Sequence, residues 1–174
     1  MQKITPFLWF DSQAEEAANF YVSIFKNSKI TSISHYGDAG PGPKGSVMTV
    51  AFELDGEEFT ALNGGPQFTF TPAVSFVVHC ETQSDVDHYW EKLTAGGSEI
   101  QCGWLKDKFG LSWQIVPDGL GDCITGDDEA GAQRAMEAMF EMKKLDINVL
   151  REAYRGPSHS VYPERSAAKS KGSG

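Results

Sequence analysis

One arrangement of residues occurs twice in this chain. The segment FLWFDSQAEEAANFY at 7–21 aligns with FVVHCETQSDVDHYW at 76–90, and both run as strand, polar cap, helix and aromatic pair. In each copy a turn that begins with an aspartate follows, at Asp55 and at Asp107, with a strand after it. A repeated unit of this kind cannot bury its apolar face alone, so copies must pair. The chain is therefore predicted to be an α+β protein built from two β-α-β-β(-β) modules.

Local signals place the first module at about 3–66. Ser12 followed by Glu15 predicts a capping box that opens a helix with an apolar stripe. The pair Asp55-Gly56 predicts a tight hairpin turn. The strands of this module are predicted at 4–10, 29–36, 46–54 and 57–63.

The second module is predicted at about 72–118. A helix over 83–95 should begin at Ser84 with Asp87 in its first turn, and end at Gly96-Gly97. Strands are predicted at 73–80, 102–106 and 111–116. A helical segment over 127–154, interrupted near 144–146, should follow. We expect one domain over 1–155 and a flexible polar tail at 156–174.

Charge and cysteine usage exclude several classes of protein. A net charge of −9 disfavours nucleic-acid phosphates as partners. Three cysteines without C-x-x-C spacing predict neither a disulfide framework nor a zinc site, and are typical of a reducing compartment. No apolar run approaches a membrane span, and the first residues, MQKITPFLWF, do not form a signal peptide. We expect a cytoplasmic protein without membrane contact.

The duplicated module resembles the vicinal oxygen chelate superfamily, which includes glyoxalase I, bleomycin-resistance proteins and extradiol dioxygenases. Three stretches are similar to its PhnB-like family, which is labelled 3-demethylubiquinone-9 3-methyltransferase: ALNGGPQFTFTPAVSFVV, CGWLKDKFGLSWQIVP and AMFEMKKLDINVLREAY. The resemblance covers about residues 3–154. It implies that two modules pair their concave faces into a glyoxalase-like cup that holds a ligand.

The resemblance also implies where metal ligands would lie. In metal-dependent members the ligands come from the first and last strands of each module, and these positions fall near Thr5, on Leu62, near Ala73 or Ser75, and on Gln114. The family's D-P-x-G-x-x-x-E run ends in a ligating glutamate, whereas D-K-F-G-L-S-W-Q ends in Gln114. A divalent cation prefers anionic or imidazole ligands, which this set does not supply. We therefore predict no metal and no cofactor, and a Gln114 amide that faces the cup.

Other side chains are candidates for lining the cup. Strand parity places Phe7 and Trp9 on one face, and Trp104 is a second aromatic candidate for stacking on a planar ligand. The polar candidates for contacting the ligand are His35, Asn63, His79 and Gln114. Each histidine is more often structural than functional, and Asn63 also fits a plain Asn-Gly-Gly turn.

Two functions remain open on the sequence. The first is a homodimeric protein that binds a small aromatic or amphipathic molecule without transforming it. The second is a glyoxalase-like enzyme, metal-dependent or acting through His35 or His79 as acid and base, with its catalytic residues unknown. The methyltransferase label lacks sequence support, because the glycine clusters do not form the strand–turn–helix motif of an S-adenosylmethionine site.

Overall fold

The computed structural model describes residues 2–157, and the first module occupies its N-terminal part. Its elements are β1 (Phe7–Phe10), α1 (Ala14–Ile24), β2 (Lys29–His35), β3 (Val47–Leu54) and β4 (Glu57–Asn63). The strand order is β1-β4-β3-β2, with β1 parallel to β4 and the other pairs antiparallel. The predicted hairpin turn has positive φ at both central residues, 48° at Asp55 and 84° at Gly56.

The second module repeats this plan. Its elements are β5 (Ser75–Cys80), α2 (Gln83–Thr94), β6 (Ser98–Glu99), β7 (Trp104–Lys106) and β8 (Ser112–Pro117). The order β5-β8-β7-β6 matches the first sheet strand for strand, again with one parallel pair at the edge. The prediction of an α+β fold with two duplicated modules is confirmed.

Three helices follow the second module. They are α3 (Leu120–Ile124), α4 (Glu129–Phe140) and α5 (Ile147–Arg155), and they enclose a small apolar cluster of their own. The strand β6 and the helix α3 were not predicted. Apart from Gly156 and Pro157, the predicted flexible tail lies outside the described residues.

Both predicted helix caps are wrong. The N-cap of α1 is Gln13, and the first amide of α1, that of Ala14, donates to Asn63 Oδ1 at 2.8 Å instead of to Ser12. The capping box of α2 is formed by Thr82 and Asp85, two residues before the predicted pair. The cap of α1 comes from β4, which no local pattern indicates, whereas α2 begins in a run of polar residues of which Thr82 provides the cap.

The two modules share one core, which lies between their helix-bearing faces. Tyr21 of α1 stacks on Phe52 of its own sheet and packs at 5.4 Å between ring centroids on Trp113 of β8. Phe59 of β4 meets Phe76 of β5 at 5.5 Å. Because successive strand residues point to opposite faces, the other face of each sheet is turned away from this core.

A buried aspartate connects the modules at the centre of the core. Asp107, only 2% exposed, follows β7 and accepts the Tyr21 hydroxyl at 2.7 Å and the Trp113 indole at 2.8 Å. It also accepts the backbone amides of Phe109 and Leu111. The aspartate of the D-x-x-G turn therefore fixes both its own turn and the position of α1.

Candidate functional site

Each sheet has one face without a helix, which we call its open face. Alternation from the core residues assigns Phe7, Trp9, Thr49, Ala51, Thr60 and Leu62 to the first open face. The same rule assigns Ser75, Val77, His79, Trp104, Gln114 and Val116 to the second. Phe7 is 60% exposed and Val77 is 45% exposed, so apolar surface remains uncovered on both.

The two open faces do not oppose each other within residues 2–157. The aromatic contacts that join the modules lie on the helix-bearing sides of the sheets. The first and second open faces are therefore on opposite outer sides of the shared core. A cup closed by two such faces needs a second pair of modules.

Gln114 is the central polar residue of the second open face. Its neighbours Trp113 and Ile115 point into the core, and Gln114 Nε2 donates to Ser75 Oγ at 2.9 Å. The bond crosses from the last strand of the module to the first, because β5 and β8 are parallel neighbours. Gln114 is therefore in direct contact with Ser75, one of the two residues expected from the resemblance at the first-strand position of this module.

A second hydroxyl lies beside this pair. Ser112 is in register with Ser75 and has the parity of Gln114. Its Oγ is fully buried and has no hydrogen-bond partner among the described residues. An unpaired buried hydroxyl is costly, and in native proteins it often marks a site for water or ligand. Strand parity could have identified both serines once the strands were known.

The predicted site residues divide among several places. Trp104 pairs with Gln114 in the second sheet, and His79 lies exposed on the same face. Phe7 and Trp9 are on the first open face, so the structure does not bring them to Gln114 within the described chain. His35 is exposed at the end of β2, beside a β-bulge.

Trp9 is partly covered by the segment between the modules. Its indole donates to the Gly65 carbonyl at 2.9 Å, and Phe68 meets its ring edge-on at 5.0 Å. Gly64 lies against the indole so closely that a Cβ there would overlap it. A cavity of about 240 Å³ extends from Trp9 past Phe68 to Phe109. This cover could not be predicted, because the segment that provides it has no periodic pattern of apolar residues.

Asn63 is on the helix-bearing side and not on the open face. Its side-chain Oδ1 accepts the Ala14 amide at the start of α1, and its Nδ2 donates to the Val47 carbonyl. The backbone carbonyl of Asn63 accepts the Tyr36 hydroxyl. It lines a cavity of about 600 Å³ at the end of the first sheet, together with Asp11 and Glu15. Its placement is thus that of a structural residue at the edge of a separate cavity.

Metal-ligating side chains are sparse in the described chain. Within residues 2–157, no three His, Cys, Asp or Glu side chains are grouped so that they could hold a metal ion. The donor set at the positions expected from the resemblance is the Gln114 amide, the Thr5 hydroxyl and at most one further hydroxyl, since Ala73 or Ser75 stands at the third position and Leu62 is apolar. Such a set does not fit a divalent cation, which prefers charged oxygen or imidazole ligands. None of the helices described is long and apolar enough to span a bilayer.

Comparisons with known proteins agree with this fold. A family model described as 3-demethylubiquinone-9 3-methyltransferase matches residues 2–116. The PhnB protein from Bacillus cereus is similar at 44% identity, with 67% of this chain and 99% of that chain covered and a TM-score of 0.62. A comparison with curated proteins found no match.

One more distant solved structure shows a likeness of fold alone. A protein from Pseudomonas aeruginosa has 19% identity, coverage of 67% of this chain and 98% of that one, and a TM-score of 0.57. The fosfomycin resistance protein FosX from Mesorhizobium loti has 11% identity, coverage of 66% and 91%, and a TM-score of 0.49.

Proposed function

Since this chain belongs to the 3-demethylubiquinone-9 3-methyltransferase family, in the glyoxalase, bleomycin-resistance and dioxygenase superfamily, we propose that it binds a small aromatic or amphipathic molecule without transforming it. The observation that carries the proposal is the hydrogen bond between Gln114 and Ser75 on the second open face. The resemblance implies that metal-dependent members of the superfamily hold a ligating glutamate at the position of Gln114, where this chain has a neutral amide bonded to a hydroxyl. This pair can orient a polar group of a ligand, but it cannot activate one as a metal centre would.

The walls of the site favour an aromatic or amphipathic ligand. Trp104 is the cross-strand neighbour of Gln114, and Val77 flanks Gln114 on the other side. Trp9 and Phe7 supply aromatic area on the first open face. A site that combines apolar walls with a few converging polar groups is the usual form of a small-molecule pocket.

We propose that the cup forms between two copies of the chain. Within one chain the open faces are turned away from each other, and each leaves large apolar side chains exposed. A two-fold dimer would place the first open face of one copy over the second open face of its partner, which closes two equal cups. A stable interface of this kind buries more than about 1,000 Å² in total.

The methyltransferase activity named in the family's description does not fit the described residues. A doubly wound methyltransferase holds S-adenosylmethionine at the carboxyl ends of parallel strands, in the turn between a strand and a helix. Both sheets here are mostly antiparallel. The glycine turn before α3 follows β8, but no parallel strand follows α3 among residues 2–157.

Native mass spectrometry and metal analysis of the purified protein test this proposal together. We expect a dimer that carries a small organic molecule and much less than one equivalent of Zn, Ni, Fe or Mn. The Gln114→Leu variant should remain folded, because volume-conserving changes at a half-buried site are tolerated. It should lose the molecule, whereas Gln133→Leu on the exposed side of α4 should keep it.

Three results would count against the proposal. One equivalent of metal that disappears in Gln114→Ala would assign a metal-dependent glyoxalase-like enzyme instead. Saturable binding of S-adenosylmethionine, measured by calorimetry, would support the methyltransferase description. Light scattering that shows a monomer at high micromolar concentration would remove the shared cup.

A further inference from the structure

The three C-terminal helices lie outside the part of the chain that matches the family model, so the match does not extend to AMFEMKKLDINVLREAY, which was expected to belong to the resemblance. The family model ends at residue 116, and two thirds of this chain cover almost all of the Bacillus cereus relative. The helices α3, α4 and α5 are thus an addition to the common two-module fold. A site formed entirely by these helices is separate from both open faces.

A cavity of about 230 Å³ lies between α3 and α5. Gly119, Asp122 and Cys123 form its wall on the side of α3. Arg151, Tyr154 and Arg155 form the wall on the side of α5. The volume is below the roughly 300–1,000 Å³ of sites for drug-sized ligands, so the cavity suits a small ion or one terminal group of a metabolite.

Two guanidinium groups reach this cavity from successive turns of one helix. Arg151 and Arg155 are four residues apart on α5, which places them on the same side of the helix. Neither makes an ion pair with a carboxylate among residues 2–157. The cavity lining contains one carboxylate, that of Asp122, so the net charge of the lining residues is positive.

The backbone of Gly119, on the α3 side of the cavity, helps to place the guanidinium group of Arg151. Gly119 has φ +85°, and a Cβ built on it would lie 3.1 Å from Nη2 of Arg151. The absence of a side chain therefore lets this guanidinium lie directly against the turn before α3. Its remaining N–H groups can then reach into the cavity as a fork, the geometry that matches carboxylate and phosphate oxygens.

We propose that this cavity binds a small oxyanion, either phosphate or one phosphate or carboxylate group of a metabolite. The overall charge of −9 opposes anion binding only weakly, because charges beyond about 8 Å are largely screened at physiological ionic strength. Two guanidinium groups within the cavity act at shorter range. Tyr154 lines the site together with Cys123.

Inorganic phosphate is the probe for this site, with acetate and chloride titrated at matched ionic strength. We expect saturable binding of one phosphate per chain, measured by calorimetry and as a rise in the unfolding temperature. Arg151→Gln and Arg155→Gln should each weaken binding about tenfold or more, the effect of losing one charge-assisted hydrogen bond. Lys92→Gln, which removes an exposed charge in the last turn of α2, should leave it unchanged.

Protection of Cys123 supplies a readout that does not require the variants. Burial raises the pKa of the Cys123 thiol, while Arg151 and Arg155 act in the opposite direction. An anion on the two arginines should weaken their effect, so phosphate should slow alkylation of Cys123 in peptide maps. Cys102, half-buried beside α4, is the internal control and should not change.

The ranking of the anions identifies the group that is bound. Tighter binding of phosphate than acetate assigns a phosphate group, and the reverse order assigns a carboxylate. An equal effect of chloride would overturn the proposal, as would equal losses in Lys92→Gln and the arginine variants. Because the cavity lies away from both open faces, its failure would leave Gln114-dependent binding untouched.

Discussion

Replacing Asp107 by asparagine tests whether one buried carboxylate holds the two modules together. Its Oδ2 accepts the Tyr21 hydroxyl and the Trp113 indole, and its Oδ1 accepts the backbone amides of Phe109 and Leu111. All four donors are fixed in the core or in the turn. The amide of asparagine keeps one oxygen but replaces the other by an NH₂ group, which cannot accept the indole proton.

The expected loss of stability in Asp107→Asn follows from these four hydrogen bonds. The Tyr21 hydroxyl can rotate to accept from the new amide, but the Trp113 N–H is left unpaired, which costs about 1–3 kcal/mol. The backbone bonds lose their charge assistance, and the relief of burying a charge offsets part of this loss. We expect Asp107→Asn to lower the free energy of unfolding by roughly 2–4 kcal/mol, a large share of the about 5–15 kcal/mol typical of a domain.

The pH dependence of this loss has a definite sign. Burial raises the pKa of Asp107 above its ordinary value of 3.8, although its four hydrogen bonds act in the opposite direction. A carboxyl with a raised folded-state pKa contributes stability that is fully present below the unfolded pKa and is lost as the pH rises through the folded pKa. The asparagine variant lacks this contribution. The difference between the native chain and the variant should therefore grow as the pH falls from 7 towards 3.8.

Urea unfolding followed by tryptophan fluorescence and circular dichroism measures both effects. Asp118→Asn, at an exposed position, is the matched control and should change stability by less than about 0.5 kcal/mol. A double-mutant cycle with Tyr21→Phe should give a coupling energy of about 0.5–3 kcal/mol. The reasoning would be refuted if Asp107→Asn behaved like Asp118→Asn, or if its loss shrank in acid.

Two further predictions concern local structure. Thr82→Ala should destabilise the protein by about 1 kcal/mol, because Thr82 Oγ1 accepts the Asp85 backbone amide at 3.1 Å. Ser84→Ala is the control and should have little effect. Equal losses of stability in thermal unfolding of the two variants would contradict the observed cap. Gly64→Ala should displace the Trp9 indole, because the new methyl group would overlap it. We expect a shift in tryptophan fluorescence in this variant, with Gly37→Ala, which meets open space, as the control; an unshifted spectrum would show that Trp9 does not depend on Gly64.

The strands and turns could largely be predicted because their signals are local. The alternation of apolar residues and the Asp55-Gly56 turn each act within a few residues, and the repeat shows the same local pattern in two parts of the chain. Contacts between distant strands could not be predicted in this way. The bond between Gln114 and Ser75 depends on the register of a parallel pair, and sequence alone does not fix that register. The alternation of Phe7 and Trp9 likewise identifies a face of the sheet but not what covers it.

The arrangement of the two modules could not be predicted from the sequence, for a different physical reason. Each sheet has two faces with apolar residues, and either face of one module could pair with the other module. The helix-bearing faces pair in this chain because Tyr21, Phe59 and Phe76 interlock with Trp113 around the Asp107 carboxylate. This pairing leaves both open faces outside the shared core, where the proposed second copy would cover them.

The C-terminal helices hold the edge of the second sheet, and this contact can be tested by removing them. The amide of Cys102 donates to the Met142 carbonyl and the amide of Gly103 donates to that of Lys143, immediately before β7 begins. Leu145 is fully buried against Gly103, and its carbonyl accepts the side-chain amide of Gln83 at 2.9 Å. The helices therefore fix the turn that places Trp104 beside Gln114.

A chain truncated after residue 118 should consequently lose order mainly in the second module. Removing the helices exposes the apolar surface around Leu145 and leaves the amides of Cys102 and Gly103 without partners, which costs several kcal/mol. Amide hydrogen exchange should accelerate at 102–106 in the truncated protein. Exchange in β3 and β4, whose main contacts are with α1 and with the neighbouring strands of their own sheet, should stay near that of the full chain. Uniform acceleration over both modules would show that the two sheets unfold as one unit and that the helices do not act locally. Unchanged exchange at 102–106 would show that the turn before β7 is stable without them.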